Sequence, residues 1–209
     1  HIIVPSRAAK RVLQRVIKGP VRVIPNAIAP RSFRKTPRDG DLLEVVFGGR
    51  VVPEKGLDLL LESLQGQGAH LTSFGVGRKG YSERLRHRAR ELGVAYTQKG
   101  WVPYEELLGL LQRCDLCVVP TRGFEPFGMI ALDAESAGLP LVLSDSGGLV
   151  EVAAKGKNAV YHERENAESL AAAIDSLAMN PKKRVKYSGI SRRLVQTRFA
   201  VSKHVDLLL

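Results

Sequence analysis

The sequence has 209 residues, 44% of them hydrophobic, enough for one substantial core, and one domain spanning 1–209 is the default organisation. A formal net charge of +11 favours an anionic partner, for which nucleotide diphosphates, nucleic acids and acidic membrane surfaces all qualify. No apolar run approaches the roughly 18 to 20 residues of a membrane span, and no charged-then-apolar leader opens the chain, so the expected compartment is the cytoplasm.

The chain opens at His1 on a strand-like run, Ile2-Ile3-Val4, as a piece of something longer would. A basic helical stretch follows from Ala8 to Val16, then a strand from Val21 to Ile24, Pro25-Asn26, and a loop from Pro30 to Asp41. Residues 1–40 thus read as an irregular leading segment.

From about residue 43, short β-rich runs alternate with amphipathic helical segments. The predicted strands are Glu44 to Phe47, His70 to Phe74, Ala95 to Gln98, Leu116 to Val119, Leu141 to Leu143 and Ala159 to Tyr161. Between them Leu57, Leu60, Leu61 and Leu64 fall at helical spacing, as do Leu170, Ala173, Ile174, Leu177 and Ala178. Leu116-Cys117-Val118-Val119 lacks alternation, as a parallel strand covered on both faces would. The expected fold is α/β, a doubly wound, Rossmann-like parallel sheet, with residues 181–209 as closing helices. Cys114 and Cys117 have the spacing of a redox pair or half a zinc site, but no second pair completes a four-ligand cluster, so a buried structural role is expected and no metal site.

In such sheets ligands bind where strands end and helices begin. The first such turn, Gly48-Gly49-Arg50-Val51-Val52-Pro53-Glu54-Lys55-Gly56, holds two cations that can neutralise a diphosphate, although such a pair taken alone is more often a solvated face. The second, Gly75-Val76-Gly77, is a weak signal shared by many tight turns. The third, Pro120 to Ile130, leads into a helix expected to start near Phe127, whose free N–H groups and dipole would form an anion site. Glu125 there is either a helix-start carboxylate or an acceptor for sugar hydroxyls. Asp133, eight positions on, can face the same ligand, whereas Glu135 is rotated about 200° from it. In the last cluster, Ser144 to Glu151, Glu151 is read as a cap for backbone amides of that same turn.

Taken together, Val23-Ile24-Pro25-Asn26, Gly49 to Gly56, Gly100-Trp101-Val102, Glu125-Pro126-Phe127-Gly128, Ala137-Gly138-Leu139-Pro140 and Gly147 to Glu151 resemble the C-terminal, donor-binding domain of retaining GT-B glycosyltransferases of family 4. The resemblance spans nearly the whole chain. It implies that Arg50 and Lys55 bind the donor pyrophosphate, and that Glu125 contacts donor-sugar hydroxyls with the amides of Phe127, Gly128, Met129 and Ile130 near the phosphate. The ribose-holding glutamate of the family is replaced here by Asp133, one methylene shorter. The segment around Trp101 and Val102 resembles the loop that meets the nucleobase; Trp101 has a packing role as its alternative. Gly49, Gly75 and Gly77 complete the expected donor site. Arg50, Lys55 and Glu125 are the residues expected to serve catalysis.

The resemblance further implies hexosyl transfer from a UDP-, GDP- or ADP-sugar donor, no cofactor, and an acceptor sugar, glycan or lipid-linked saccharide held by an N-terminal domain that this chain lacks. The isolated domain would then be inactive. A non-catalytic nucleotide-sugar subunit or sensor is the alternative. A peripheral contact with the inner membrane face is compatible with lipid-linked acceptors. The basic run Lys182, Lys183, Arg184, Lys186, Arg192, Arg193 and Arg198 reads as a solvated helix face, because interleaved aromatics for base stacking are nearly absent, and no nucleic-acid partner is expected.

Overall fold

The structure is a computed structural model describing residues 2–29, 42–154 and 156–209. The loop expected over Pro30 to Asp41 lies outside the described residues.

Two short strands open the chain, β1 (Ile2–Val4) and β2 (Val21–Val23), joined through helix α1 (Arg7–Leu13) and paired in parallel. Six more, β3 (Leu43–Gly48), β4 (Ala69–Phe74), β5 (Ala95–Gln98), β6 (Leu116–Val119), β7 (Leu141–Ser144) and β8 (Ala159–His162), form one sheet in which every pairing is parallel. They lie in the order β5-β4-β3-β6-β7-β8. The chain therefore runs outward from β3, returns to the other side of β3 at β6, and runs outward again. That reversal opens a crevice at the carboxyl ends of β3 and β6, where doubly wound sheets bind ligands.

Helices cover both faces: α2 (Leu57–Ser63), α3 (Lys79–Glu91), α4 (Tyr104–Arg113), α5 (Met129–Ser136), α6 (Leu149–Val152), α7 (Ala167–Ala178), α8 (Pro181–Thr197) and α9 (Val201–Leu208). Successive residues of a strand point to opposite faces, so each strand feeds two cores. Val45, Phe47, Leu116 and Val118 pack with Leu57, Leu60, Leu61, Leu170, Ile174 and Leu177 on one face. Val46, Cys117, Val119 and Leu141 pack with Leu107, Leu111, Leu132, Leu149 and Phe199 on the other. This two-sided burial is the physical reason for the unalternating apolar runs. Each fully buried leucine contributes about 1.5–3 kcal/mol relative to an exposed one. Both cysteines are buried, in the structural role expected of them, and the Cys114 thiol donates to the Leu110 carbonyl at 3.2 Å.

Residues 2–23 are more regular than an irregular leading segment, and the reason is tertiary. Ser6 caps α1 through its hydroxyl, which accepts from the Ala9 amide at 2.9 Å. Two further orphan amides of that first turn go to Glu151, whose carboxylate accepts from Arg7 at 3.0 Å and Ala8 at 2.8 Å. Glu151 is a cap, as its sequence context indicated, but the amides belong to a helix more than 140 residues away. At the other end, α9 returns to this unit: Arg22 donates to the Leu207 carbonyl at 2.6 Å, and a His204 ring nitrogen lies 2.7 Å from the Pro25 carbonyl. Leu207, Leu208 and Leu209 are exposed.

Glu135 turns away from the crevice and into the interior, where it is 0% exposed. The Asn158 amide donates to its Oε1 at 2.6 Å, and Oε2 has no hydrogen-bond partner among the described residues. Burial pushes its pKa up to about 8, against which the Asn158 hydrogen bond and the Arg198 charge act only in part.

Candidate functional site

A cavity of about 390 Å³ lies over the carboxyl ends of β3 and β6. Gly49, Arg50 and Lys55 line it from the first turn, and Glu125, Phe127, Gly128, Met129, Ile130 and Asp133 from the third turn and α5. Nine residues singled out in the sequence thus meet at one place, although Lys55 and Glu125 are 70 residues apart in the chain. Asn26, which the sequence placed only within a motif, lines the cavity as well and donates to the Met129 sulfur at 3.3 Å.

The central contact joins the two turns: Lys55 Nζ lies 2.5 Å from Glu125 Oε2, with both side chains largely buried. An ammonium has three donors, so two remain for another acceptor after Glu125 is satisfied. Arg50 is exposed, and its side chain makes no hydrogen bond or ion pair among the described residues, leaving the guanidinium fork available at the cavity wall.

The helix expected near Phe127 begins two residues later, at Met129. Gly128 adopts φ +93, a left-handed conformation that interrupts the helix, and a Cβ there would collide with Leu149. The delay matters chemically. The amides of Gly128, Met129 and Ile130 make no hydrogen bond among the described residues, while Ala131 begins the ladder by donating to the Gly128 carbonyl at 3.0 Å. Unpaired amides at the positive end of a helix form an anion cradle. The Phe127 amide likewise makes no hydrogen bond among the described residues, while its ring is buried edge-on against Phe199 with centroids 6.0 Å apart.

Three sets of contacts outside the cavity hold it in shape. Arg122 grips Asp58 with paired hydrogen bonds of 2.6 and 3.1 Å and donates to the Pro53 carbonyl at 2.8 Å. Its backbone amide and the Thr121 hydroxyl both donate to the Glu54 carbonyl, at 2.9 and 3.0 Å. The turn that carries Lys55 is therefore clamped to the loop that carries Glu125. Burial alone would raise the Asp58 carboxyl, but the Arg122 hydrogen bonds and charge outweigh it and hold it below the usual carboxylate range. Beneath Glu125, Gly147 (φ +55) and Gly148 press against the Glu125 and Pro126 backbone, and the Gly148 amide donates to the Glu125 carbonyl at 2.6 Å. Ser6 donates to the Pro126 carbonyl at 2.6 Å. Sequence reasoning missed Asp58, Arg122 and Ser6 because each acts on a partner more than 60 residues away.

Asp133 faces the cavity, as its helical position predicts, and accepts a hydrogen bond from the Tyr104 hydroxyl at 3.0 Å. Burial raises its pKa and the Tyr104 hydrogen bond opposes the rise. Next to this cavity, a second of about 410 Å³ is lined by Gly75, Gly77, Lys99, Gly100 and Trp101. The two are stitched together by main chain: Gly75 donates to the Gly100 carbonyl at 2.6 Å, and Gly49 to the Phe74 carbonyl at 3.1 Å. Trp101 is 73% exposed and so takes no part in the core described above. Val102 lines neither cavity; its apolar side chain packs against the core instead.

Among the described residues no three His, Cys, Asp or Glu side chains are arranged to hold a metal ion. What converges is two cations, a run of unpaired amides and two carboxylates, an arrangement that can hold a phosphate-bearing ligand with hydroxyl groups on either side. Among the described residues no helix is long and apolar enough to cross a membrane.

Comparison with known proteins shows the family and the fold. In sequence, the chain is 35% identical over 154 residues to the glycogen synthase of Mycobacterium tuberculosis, covering 70% of this chain and 36% of that protein. It is 31% identical over 187 residues to that organism's GDP-mannose-dependent alpha-(1-6)-phosphatidylinositol monomannoside mannosyltransferase, covering 83% and 48%. The chain thus spans between about a third and a half of these relatives' length. In structure, it superposes on the sucrose-phosphate synthase of Thermosynechococcus elongatus with a TM-score of 0.89 at 23% identity, over 98% of this chain and 56% of that one. It superposes on Anabaena HepE in complex with UDP and glucose with a TM-score of 0.89 at 21% identity, over 99% and 61%. These likenesses identify the fold as the Rossmann-like half of a GT-B architecture. The family model of the group 1 glycosyl transferases matches residues 29–193, and the chain belongs to that family.

Proposed function

We propose that this chain is the donor-binding part of a retaining glycosyltransferase that takes a UDP-, GDP- or ADP-sugar. The observation that carries the proposal is the convergence of Arg50, Lys55, the unpaired amides of Gly128 to Ile130 and the Glu125 carboxylate around one cavity at the sheet's reversal point. Arg50, Lys55 and the amides would hold the diphosphate and offset the charge that grows on it as the sugar departs, the work that a bound metal performs elsewhere. Glu125 would accept hydrogen bonds from the sugar hydroxyls with the oxygen not engaged by Lys55. Asp133 would take the ribose hydroxyls, and the neighbouring cavity with Trp101, Gly75 and Gly77 would receive the base. Supporting the donor class, a protein of the same fold is named for its complex with UDP and glucose.

The acceptor, a sugar, glycan or lipid-linked saccharide, would be held by an N-terminal domain outside this chain, with transfer in the cleft between the two, so the domain alone would bind donor without turning it over. We place it in the cytoplasm. Helix α8 runs without an acidic residue and exposes Lys182, Lys186, Arg192 and Arg193, a face suited to a peripheral contact with an anionic membrane surface.

The test is calorimetric titration with UDP, GDP and ADP, repeated on Arg50→Ala and Lys55→Ala. Each substitution removes a charge-assisted hydrogen bond and should weaken the diphosphate that binds by about tenfold or more. Undiminished affinity in both variants removes the assignment.

A further inference from the structure

We infer that Tyr104 is a positioning residue for the nucleotide's ribose, holding the Asp133 carboxylate in the orientation that receives the vicinal hydroxyls. The inference rests on the donor-site reading above and adds to it a residue from a different element, the first turn of α4.

Reach comes first. An aspartate projects one carbon–carbon bond less than a glutamate, about 1.5 Å at most, so from α5 it meets a ligand with less freedom to adjust its oxygens. Asp133 is also buried, and a buried carboxylate is costly unless its oxygens are hydrogen-bonded. Tyr104 supplies that bond from outside α5: its hydroxyl donates to Oδ1 at 3.0 Å, while Oδ2 has no hydrogen-bond partner among the described residues. One oxygen is thus fixed and the other is left as an acceptor on a group that lines the cavity. A vicinal diol offers two donors to such a carboxylate, one to Oδ2 and one to the second lone pair of Oδ1. Tyrosine suits the task because it has few rotatable bonds and its hydroxyl lies at the end of a rigid ring, so it sets the carboxylate plane at low entropic cost.

Charge points the same way. The groups facing Asp133 are the Tyr104 phenol from α4, the Cys117 thiol from β6, which burial pushes well up and keeps neutral, and across the cavity Arg50, Lys55 and Glu125. Burial raises the Asp133 carboxyl and the Tyr104 hydrogen bond is the influence that lowers it, so Tyr104 helps to keep it ionised and able to accept.

Tyr104→Phe removes the hydroxyl and leaves the ring. In calorimetry, using whichever of UDP, GDP and ADP binds best, the variant should lose about tenfold in affinity for the ribonucleotide and almost nothing for its 2′,3′-dideoxy analogue. The wild type's preference for ribose should shrink accordingly, and the acid side of the variant's binding-versus-pH curve should move to higher pH, because its Asp133 takes up a proton sooner. Equal losses on both nucleotides would mean a merely structural role and overturn the inference, as would no loss on either, or a wild type that does not distinguish the two. Failure of the wild type to bind any of the three diphosphates would instead remove the donor-site reading itself, and this inference with it.

Discussion

Glu135 offers a test of how the interior is built. Folded, it keeps its proton up to about pH 8; unfolded, it releases it near the usual value of 4.5. Between those values the folded chain binds more protons, so stability falls as pH rises: the contribution is intact below 4.5 and is lost as pH climbs through 8. At about 1.4 kcal/mol for each pH step, the loss between pH 4.5 and pH 7 amounts to roughly 3 to 4 kcal/mol. Glu135→Gln keeps the shape and cannot ionise, so its stability relative to wild type should improve by about that amount over the same interval. For a chain of this length the change corresponds to a melting-temperature difference of about 6–16 °C. The comparison should be made by urea unfolding at about pH 5, 6, 7 and 8, and it is the slope that counts, since the glutamine amide's own fit sets the offset. A stability difference constant across that range would refute the reasoning.

The remaining predictions concern the frame around the cavity. Gly147→Ala places a methyl group against the Glu125 carbonyl at a positive φ, so it should cost about 2 kcal/mol or more in chemical unfolding and weaken nucleotide binding by displacing Glu125; an alanine variant equal to wild type in both would contradict the packing described. Asp58→Asn cuts the grip on Arg122. Because the pair is partly exposed, with 37% of the Asp58 side chain accessible, it should cost only about 1 kcal/mol at neutral pH. The Asp58 pKa is depressed, so this stability is present above pH 3.8 and is lost as pH falls below it; the wild type and the variant should converge in acid, which thermal melts at about pH 7 and pH 3 would check.

Much of the architecture was legible from residue order, since each strand and helix is specified by its own apolar period. Leu116 to Val119 announced a strand covered on both faces, and Leu57, Leu60, Leu61 and Leu64 announced a helix with one buried stripe; both are found as read. The site was half legible. Arg50, Lys55 and Glu125 stand out because glycine-rich turns after strands need a reason to carry charge. Their meeting was implied by the family resemblance alone and not by local pattern, because it depends on β6 lying beside β3 rather than beside β5, its predecessor in the chain.

The sequence by itself determined the elements, their order and the chemical character of each turn, because periodicity and turn chemistry are local interactions within a few residues. Only the tertiary structure decided which turns face each other: Lys55 against Glu125, Arg122 around Asp58, Glu151 on the start of α1, and Tyr104 on Asp133. It also decided that α5 begins at Met129 and not Phe127, because Gly128 takes a φ of +93, outside the right-handed helical range, where Leu149 leaves no room for a Cβ. Those pairings are set by strand order and by close approach between distant backbones, and no local pattern encodes either.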